Sequence, residues 1–140
     1  MNLHEQLPPD ADGYPEMWPE TDLEHIVANG FAIGAIQADS EALEFAAFIR
    51  DVIKPRNILE LGTLCGGWMY VMDRMSLPGK RISVDRLWAD RDPRIKWGPA
   101  LFHRQVPGVI EIEGDIHNTT VRGAVAQALA GEQVDLIFID

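Results

Sequence analysis

Short apolar runs recur through the C-terminal two thirds of this chain, each followed by a stretch with helical spacing. The runs fall at 57–61, 81–85, 109–113 and 134–139. Helical patterns lie between them at 67–77, near 99–105 and at 119–130, with Pro78-Gly79 as a turn and Gly131 as a helix stop. Strands apolar enough to be buried on both faces, alternating with helices, specify a parallel α/β sheet. Upstream, Thr21-Asp-Leu-Glu24 has the form of a capping box and Asn29-Gly30 that of a stop, which predicts a short helix between them. An apolar connector, 31–38, leads to a longer helix capped by Asp39 or Ser40. Leu43, Ala46, Ala47, Ile49 and Ile53 form its buried face, and Lys54-Pro55 ends it. Residues 1–20 hold four prolines among acids without periodicity, so they read as an extended arm or disordered tail. Tyr14, Met17 and Trp18 give that arm a means of docking onto the domain or a partner. The domain proper is expected to be 21–140.

Composition removes several classes. A formal net charge of −10 in 140 residues argues against binding a nucleic-acid backbone. The cations Arg81, Arg86, Arg91, Arg94, Lys96 and Arg104 are interspersed with Asp85, Asp90 and Asp92. That is either a mixed solvated surface or a basic lip for an anionic substrate. Cys65 is the one cysteine, which excludes an intramolecular disulfide and a cysteine zinc cluster. No apolar run reaches membrane-spanning length, and the N-terminus lacks the layout of a signal peptide; neither membrane association nor export is expected, and a cytoplasmic location follows by default.

The candidate chemistry centres on Asn57-Ile-Leu-Glu-Leu-Gly-Thr-Leu-Cys-Gly-Gly-Trp68. An apolar run rises to an acid, breaks into a glycine-bearing loop and enters a helix, a layout suited to a nucleotide-like ligand. Gly62 and Gly66 permit positive φ and close approach of a ligand to the backbone. Glu60 would repel a pyrophosphate but suits a cationic amino group and hydroxyls. Ligands of such sheets bind beyond the carboxyl ends of the strands, and Glu60, Gly62, Asp85, Asp115 and Asp140 all sit at or just past those ends. Asp85 reads as an acceptor for two vicinal hydroxyls or as a turn or helix-capping acid. Asp115 reads as an acceptor for an adenine amino group, with Ile116 packing on the ring, or as an Asx-turn before a helix capped near Asn118. His103 and His117 receive no catalytic role. Trp68, Met69, Met72 and Met75 have the spacing of core filling, and Cys65 that of a small apolar residue under the loop.

The stretch Leu59–Gly67 resembles the first motif of class I S-adenosylmethionine-dependent methyltransferases, in the version found in O-methyltransferases of the catechol type and in cephalosporin-hydroxylase-like proteins. The runs ending at Asp85, Asp115 and Asp140 are similar to the second, third and fourth strands of that family, and the resemblance covers about residues 36 to 140. It implies a Rossmann-like sheet of strand order 3-2-1-4 and S-adenosylmethionine held by Glu60, Gly62, Thr63, Gly66, Asp85, Asp115 and Ile116. Thr63, with the N-terminus of helix 67–77, would line the carboxylate end. It also implies methyl transfer to a small molecule and a divalent cation such as Mg at Asp140, whose other ligands would come from segments after the fourth strand. The expectation is therefore a partial domain that lacks turnover alone. Its 134–139 edge, with Leu136 and Phe138 uncovered, would self-associate or take a partner chain. A non-catalytic cofactor-binding or assembly domain stays open beside it. A nicotinamide-dependent oxidoreductase is disfavoured by the missing three-glycine spacing.

Overall fold

The computed structural model of the chain describes residues 1–35, 37–86 and 98–140. In order, the elements are α1 (Leu23–Ile33), α2 (Asp39–Phe48), a π-helical turn (Ile49–Ile53), β1 (Ile58–Leu61), α3 (Gly67–Met75), β2 (Arg81–Asp85), α4 (Gly98–Gln105), β3 (Ile110–Glu113), α5 (Thr119–Leu129) and β4 (Leu136–Ile139). The strands form one parallel sheet of order β3-β2-β1-β4. This is the expected Rossmann-like arrangement. Arg91, Arg94, Lys96, Asp90 and Asp92 of the mixed surface lie outside the described residues.

Side chains alternate across the strands, so each sheet face gathers its own core. Ile58, Leu136 and Phe138 face the larger core, built with residues of α1 to α4. Leu59, Leu61, Ile82 and Val84 face a smaller one with Val121 and Val125 of α5. Trp68, Met69, Met72 and Met75 are core residues, as is Cys65. Phe45, Trp68 and Phe138 pack in edge-on and tilted contacts with ring centroids 5.4–5.7 Å apart, tying α2 and α3 to β4. Leu136 and Phe138 are partly buried against this core, where the sequence suggested that they lie uncovered. The exposed apolar side chains of β4 are Ile137, 55% exposed, and Ile139, 73% exposed, on the opposite face.

The helix ends differ from the sequence pattern in instructive ways. Asp22, not Thr21, caps α1, accepting from the His25 amide at 2.9 Å. α1 then runs through Asn29-Gly30 and stops at Gly34. Both residues stay helical because tertiary contacts require them there. A Cβ on Gly30 would lie 2.4 Å from Val71 Cγ2 and 3.2 Å from the Gly67 carbonyl oxygen, so glycine sets the approach of α1 to α3. α2 is capped by Ala38 with no side-chain bond, and Asp39 lies within the helix. Asn118 caps α5, accepting from Thr120.

Residues 1–20 lie against the domain. Leu3 is buried, and Tyr14, Met17 and Trp18 pack on the larger core. Arg104 of α4 pairs with Asp10 at 3.0 Å and Asp12 at 2.8 Å. Fully buried Asn29 donates to the Trp18 carbonyl (3.0 Å) and the Tyr70 hydroxyl (2.9 Å), and accepts from the Trp18 amide (2.7 Å). Tyr70 in turn donates to Glu20, which pairs with Arg74. Asn29→Ala strands these partners, so it is expected to cost about 2–3 kcal/mol. Urea unfolding checks this, and a loss no larger than for an exposed alanine substitution on α1 would refute it. Among the described residues, no helix is long and apolar enough to cross a membrane.

Candidate functional site

β1 and β2 end side by side, and the chain turns from β1 into α3 through residues 62–66. The turn is tight. Gly62 and Gly66 both have φ +87°, and Leu64 holds φ +49°, a left-handed conformation that costs a residue with a Cβ. Asp85, at the end of β2, secures it: one carboxylate oxygen accepts from the Thr63 and Leu64 amides, each at 2.8 Å. Such charge-assisted bonds to backbone donors are among the stronger hydrogen bonds available.

Beside the loop, across the carboxyl ends of the strands, lies a cleft of about 550 Å³. Leu61, Val84, Ile116 and Ile139 supply apolar wall; Asp85, Arg86, Asp115, His117 and Asp140 supply polar groups, with Gly62 and Gly114 between. An adjoining pocket of about 430 Å³ shares Gly62, Asp85 and Asp140 and adds Leu64. Asp115 forms the Asx-turn that its sequence setting suggested, its carboxylate accepting from the His117 amide at 2.9 Å, and also reaches the cleft. That bond, with Arg86 3.9 Å away, holds the Asp115 carboxyl below its ordinary range. Three carboxylates against one guanidinium favour a ligand with positive charge and hydroxyl donors.

The structure separates the sequence candidates into two groups. Gly62, Asp85, Asp115, Ile116 and Asp140 line the cleft. Glu60, Thr63 and Gly66 do not; all three are buried. Gly66 is required by packing, since a Cβ there would come within 2.2 Å of the Phe102 ring. The N-terminus of α3 is closed in the same way: a Cβ on Gly67 would lie 2.4 Å from both the Ala35 nitrogen and the Gly30 oxygen. Thr63 is 3% exposed, and its hydroxyl has no hydrogen-bond partner. Arg86 and His117 are wall residues whose part could not be read from sequence spacing, because it arises where β2 and β3 meet.

Glu60 is 1% exposed. Its register partners are Ser83 on β2 and Phe138 on β4. The Ser83 hydroxyl donates to its carboxyl at 3.3 Å. The Thr63 hydroxyl lies close enough to favour the charged form, though it completes no hydrogen bond. Burial outweighs both, aided by the charges of Asp140 and Asp85, and pushes Glu60 up to about 8. Among the described residues no cation pairs with it, and no three His, Cys, Asp or Glu side chains gather as a metal centre.

By sequence, the chain matches no protein-family model and no curated protein. By structure it is similar to cofactor-bound Rv0187 from MTB, with a TM-score of 0.51 and 22% identity over 97% of this chain. It is also similar to a protein from Klebsiella pneumoniae provisionally designated an O-methyltransferase, with a TM-score of 0.49 and 20% identity over 89% of this chain. The chain spans 62% of the first protein's length and 55% of the second's. The parallel order β3-β2-β1-β4 with its flanking helices is a Rossmann-like α/β fold, shared with cofactor-bound Rv0187.

Proposed function

We propose that this chain is the cofactor-binding portion of an S-adenosylmethionine-dependent methyltransferase acting on a small-molecule oxygen nucleophile. The observation that carries the reading is the convergence of Asp85, Asp115 and Asp140 on one apolar-walled cleft at the carboxyl ends of the strands. In this reading Asp85 accepts from ribose hydroxyls and Asp115 from an adenine amino group, with Ile116 against the ring. Gly62 lets the backbone run along the cleft floor. The excess of carboxylates suits the sulfonium and ammonium charges and opposes a pyrophosphate. The chemistry supplied by the bound cofactor is an activated methyl group; the chain contributes binding, orientation and exclusion of water. No cation is assigned to Asp140.

Calorimetric titration with S-adenosylhomocysteine tests the reading, with NAD as competitor. Binding of S-adenosylhomocysteine with little displacement by NAD is expected. Asp85→Ala is expected to weaken binding by about 1–3 kcal/mol through a lost charged hydrogen bond. Gly62→Val is expected to abolish binding, and because a Cβ would lie 2.7 Å from the Asp140 carbonyl oxygen it also disturbs the end of β4. Absence of heat and of a melting shift at millimolar S-adenosylhomocysteine would overturn the assignment. Equal displacement by NAD would point to an oxidoreductase.

A further inference from the structure

The loop after β1 lies between two acids. From the cleft side the Asp85 carboxylate binds its Thr63 and Leu64 amides. From below, Glu60 sits against Ser83 and the partnerless Thr63 hydroxyl. Leu64 keeps a left-handed conformation that a free chain would relax, so the loop depends on contacts that hold it. We propose that Glu60 is a positioning residue that acts as a protonation-controlled latch: its neutral carboxyl donates to Thr63 Oγ1 and sets the loop, and its ionisation releases the loop that walls the cleft.

The surroundings of Glu60 support only the neutral form as a resident. β2 presents Ser83 and, at its end, Asp85; the residue after β4 is Asp140; both acids oppose a further negative charge. The charged residues of α3 and of the start of β2 are engaged elsewhere. Asp73 pairs with Arg81, and Arg74 with Asp73 and Glu20. A carboxylate formed in this place has only the Ser83 and Thr63 hydroxyls to draw on, and at 1% exposure it lacks the water that would otherwise stabilise its charge. A neutral carboxyl adds what the structure otherwise lacks, a donor for Thr63 Oγ1. The pair then satisfies itself without water.

The loop half of this proposal stands on the burial and neighbours of Glu60, whereas its consequence for affinity rests on the cofactor reading above. The test follows the Thr63 and Leu64 amide resonances and the Glu60 carboxyl carbon by NMR from pH 4 to pH 9.5. S-adenosylhomocysteine titrations accompany it, on the natural chain and on Glu60→Gln. The expected result is a shared midpoint near 8 for all three signals in the natural chain, and flat amide signals in Glu60→Gln. Affinity should fall about tenfold per pH unit above that midpoint in the natural chain, and should lose this fall in Glu60→Gln. A Glu60 midpoint near 4.5, or the same amide titration in both proteins, overturns the latch. The same affinity profile in both proteins also overturns it. Expected NMR titrations with no S-adenosylhomocysteine binding at any pH would support the latch and remove the cofactor reading instead. Should Glu60→Gln fail to fold, the Glu60 carbon and the two amides of the natural chain decide the question by whether their midpoints coincide near 8.

Discussion

Gly66→Ala should destabilise this protein severely, by about 2–4 kcal/mol, before any effect on ligand binding is seen. Two costs add. Gly66 caps α3 with φ +87°, a conformation disfavoured for alanine by about 1 kcal/mol. The new Cβ would also lie 2.2–2.5 Å from three atoms of the Phe102 ring. Phe102 is fully buried in the larger core, so the ring cannot swing into solvent, and overpacking of this kind costs about 1–3 kcal/mol. Gly13→Ala is the control, since Gly13 has φ +83° with nothing within 4 Å of its Cβ position. It carries the conformational cost alone. Urea midpoints of the two variants measure the difference. If Gly66→Ala loses no more stability than Gly13→Ala, the close packing of α4 on the loop is wrong.

The second large effect is a gain. Glu60→Gln should make the protein more stable than its natural form at neutral and alkaline pH. The sign follows from proton counting. An unfolded glutamate loses its proton near 4.5, whereas folded Glu60 keeps it to about 8. Between those values the folded state binds more protons, so stability falls as pH rises and levels off above 8. Below about 4.5 both states are protonated and no penalty exists. At about 1.36 kcal/mol per pH unit, discounted for relaxation of the interior, the penalty reaches on the order of 2–4 kcal/mol by pH 8. Glutamine keeps the shape and cannot ionise. Denaturant midpoints at pH 5, 6.5 and 8 for both proteins are expected to diverge steadily with pH. Parallel pH profiles would show that Glu60 is charged in the folded chain and that its burial has been misread.

Much of the fold was legible because it rests on local periodicity. The four apolar runs are the four strands, within two residues at each end, although only β1 and β2 are buried on both faces while β3 and β4 leave one face or more exposed. The stretch after the glycine loop is a helix with a Met-rich buried surface, and Asn118 caps α5 as its position before the helical pattern implies. The acids at the strand ends converge because a parallel sheet brings equivalent strand positions to one edge. That much belongs to the sequence.

The tertiary structure decided what each residue meets. Asn29-Gly30 has the local chemistry of a helix stop, yet it stays helical because Trp18, Tyr70 and the Gly67 backbone engage it from distant parts of the chain. The proline-rich arm is ordered by Asn29, Arg104 and the core surface, none of which its own composition encodes. On β4, alternation shows that Leu136 and Phe138 share a face, but only the packing of α2 and α3 shows that this face is partly buried and the Ile137–Ile139 face open. Glu60 and Asp85 look alike in sequence, each an acid at or near the end of an apolar run. Their fates diverge because β1 is central. A side chain on its larger-core face is enclosed by Ser83, Phe138 and the loop above, whereas Asp85 follows the last residue of β2 that pairs with β1 and reaches the open edge. Local pattern specifies which face a side chain occupies; neighbours brought from elsewhere determine whether water reaches it, and so whether an acid there serves a ligand or the loop beneath one.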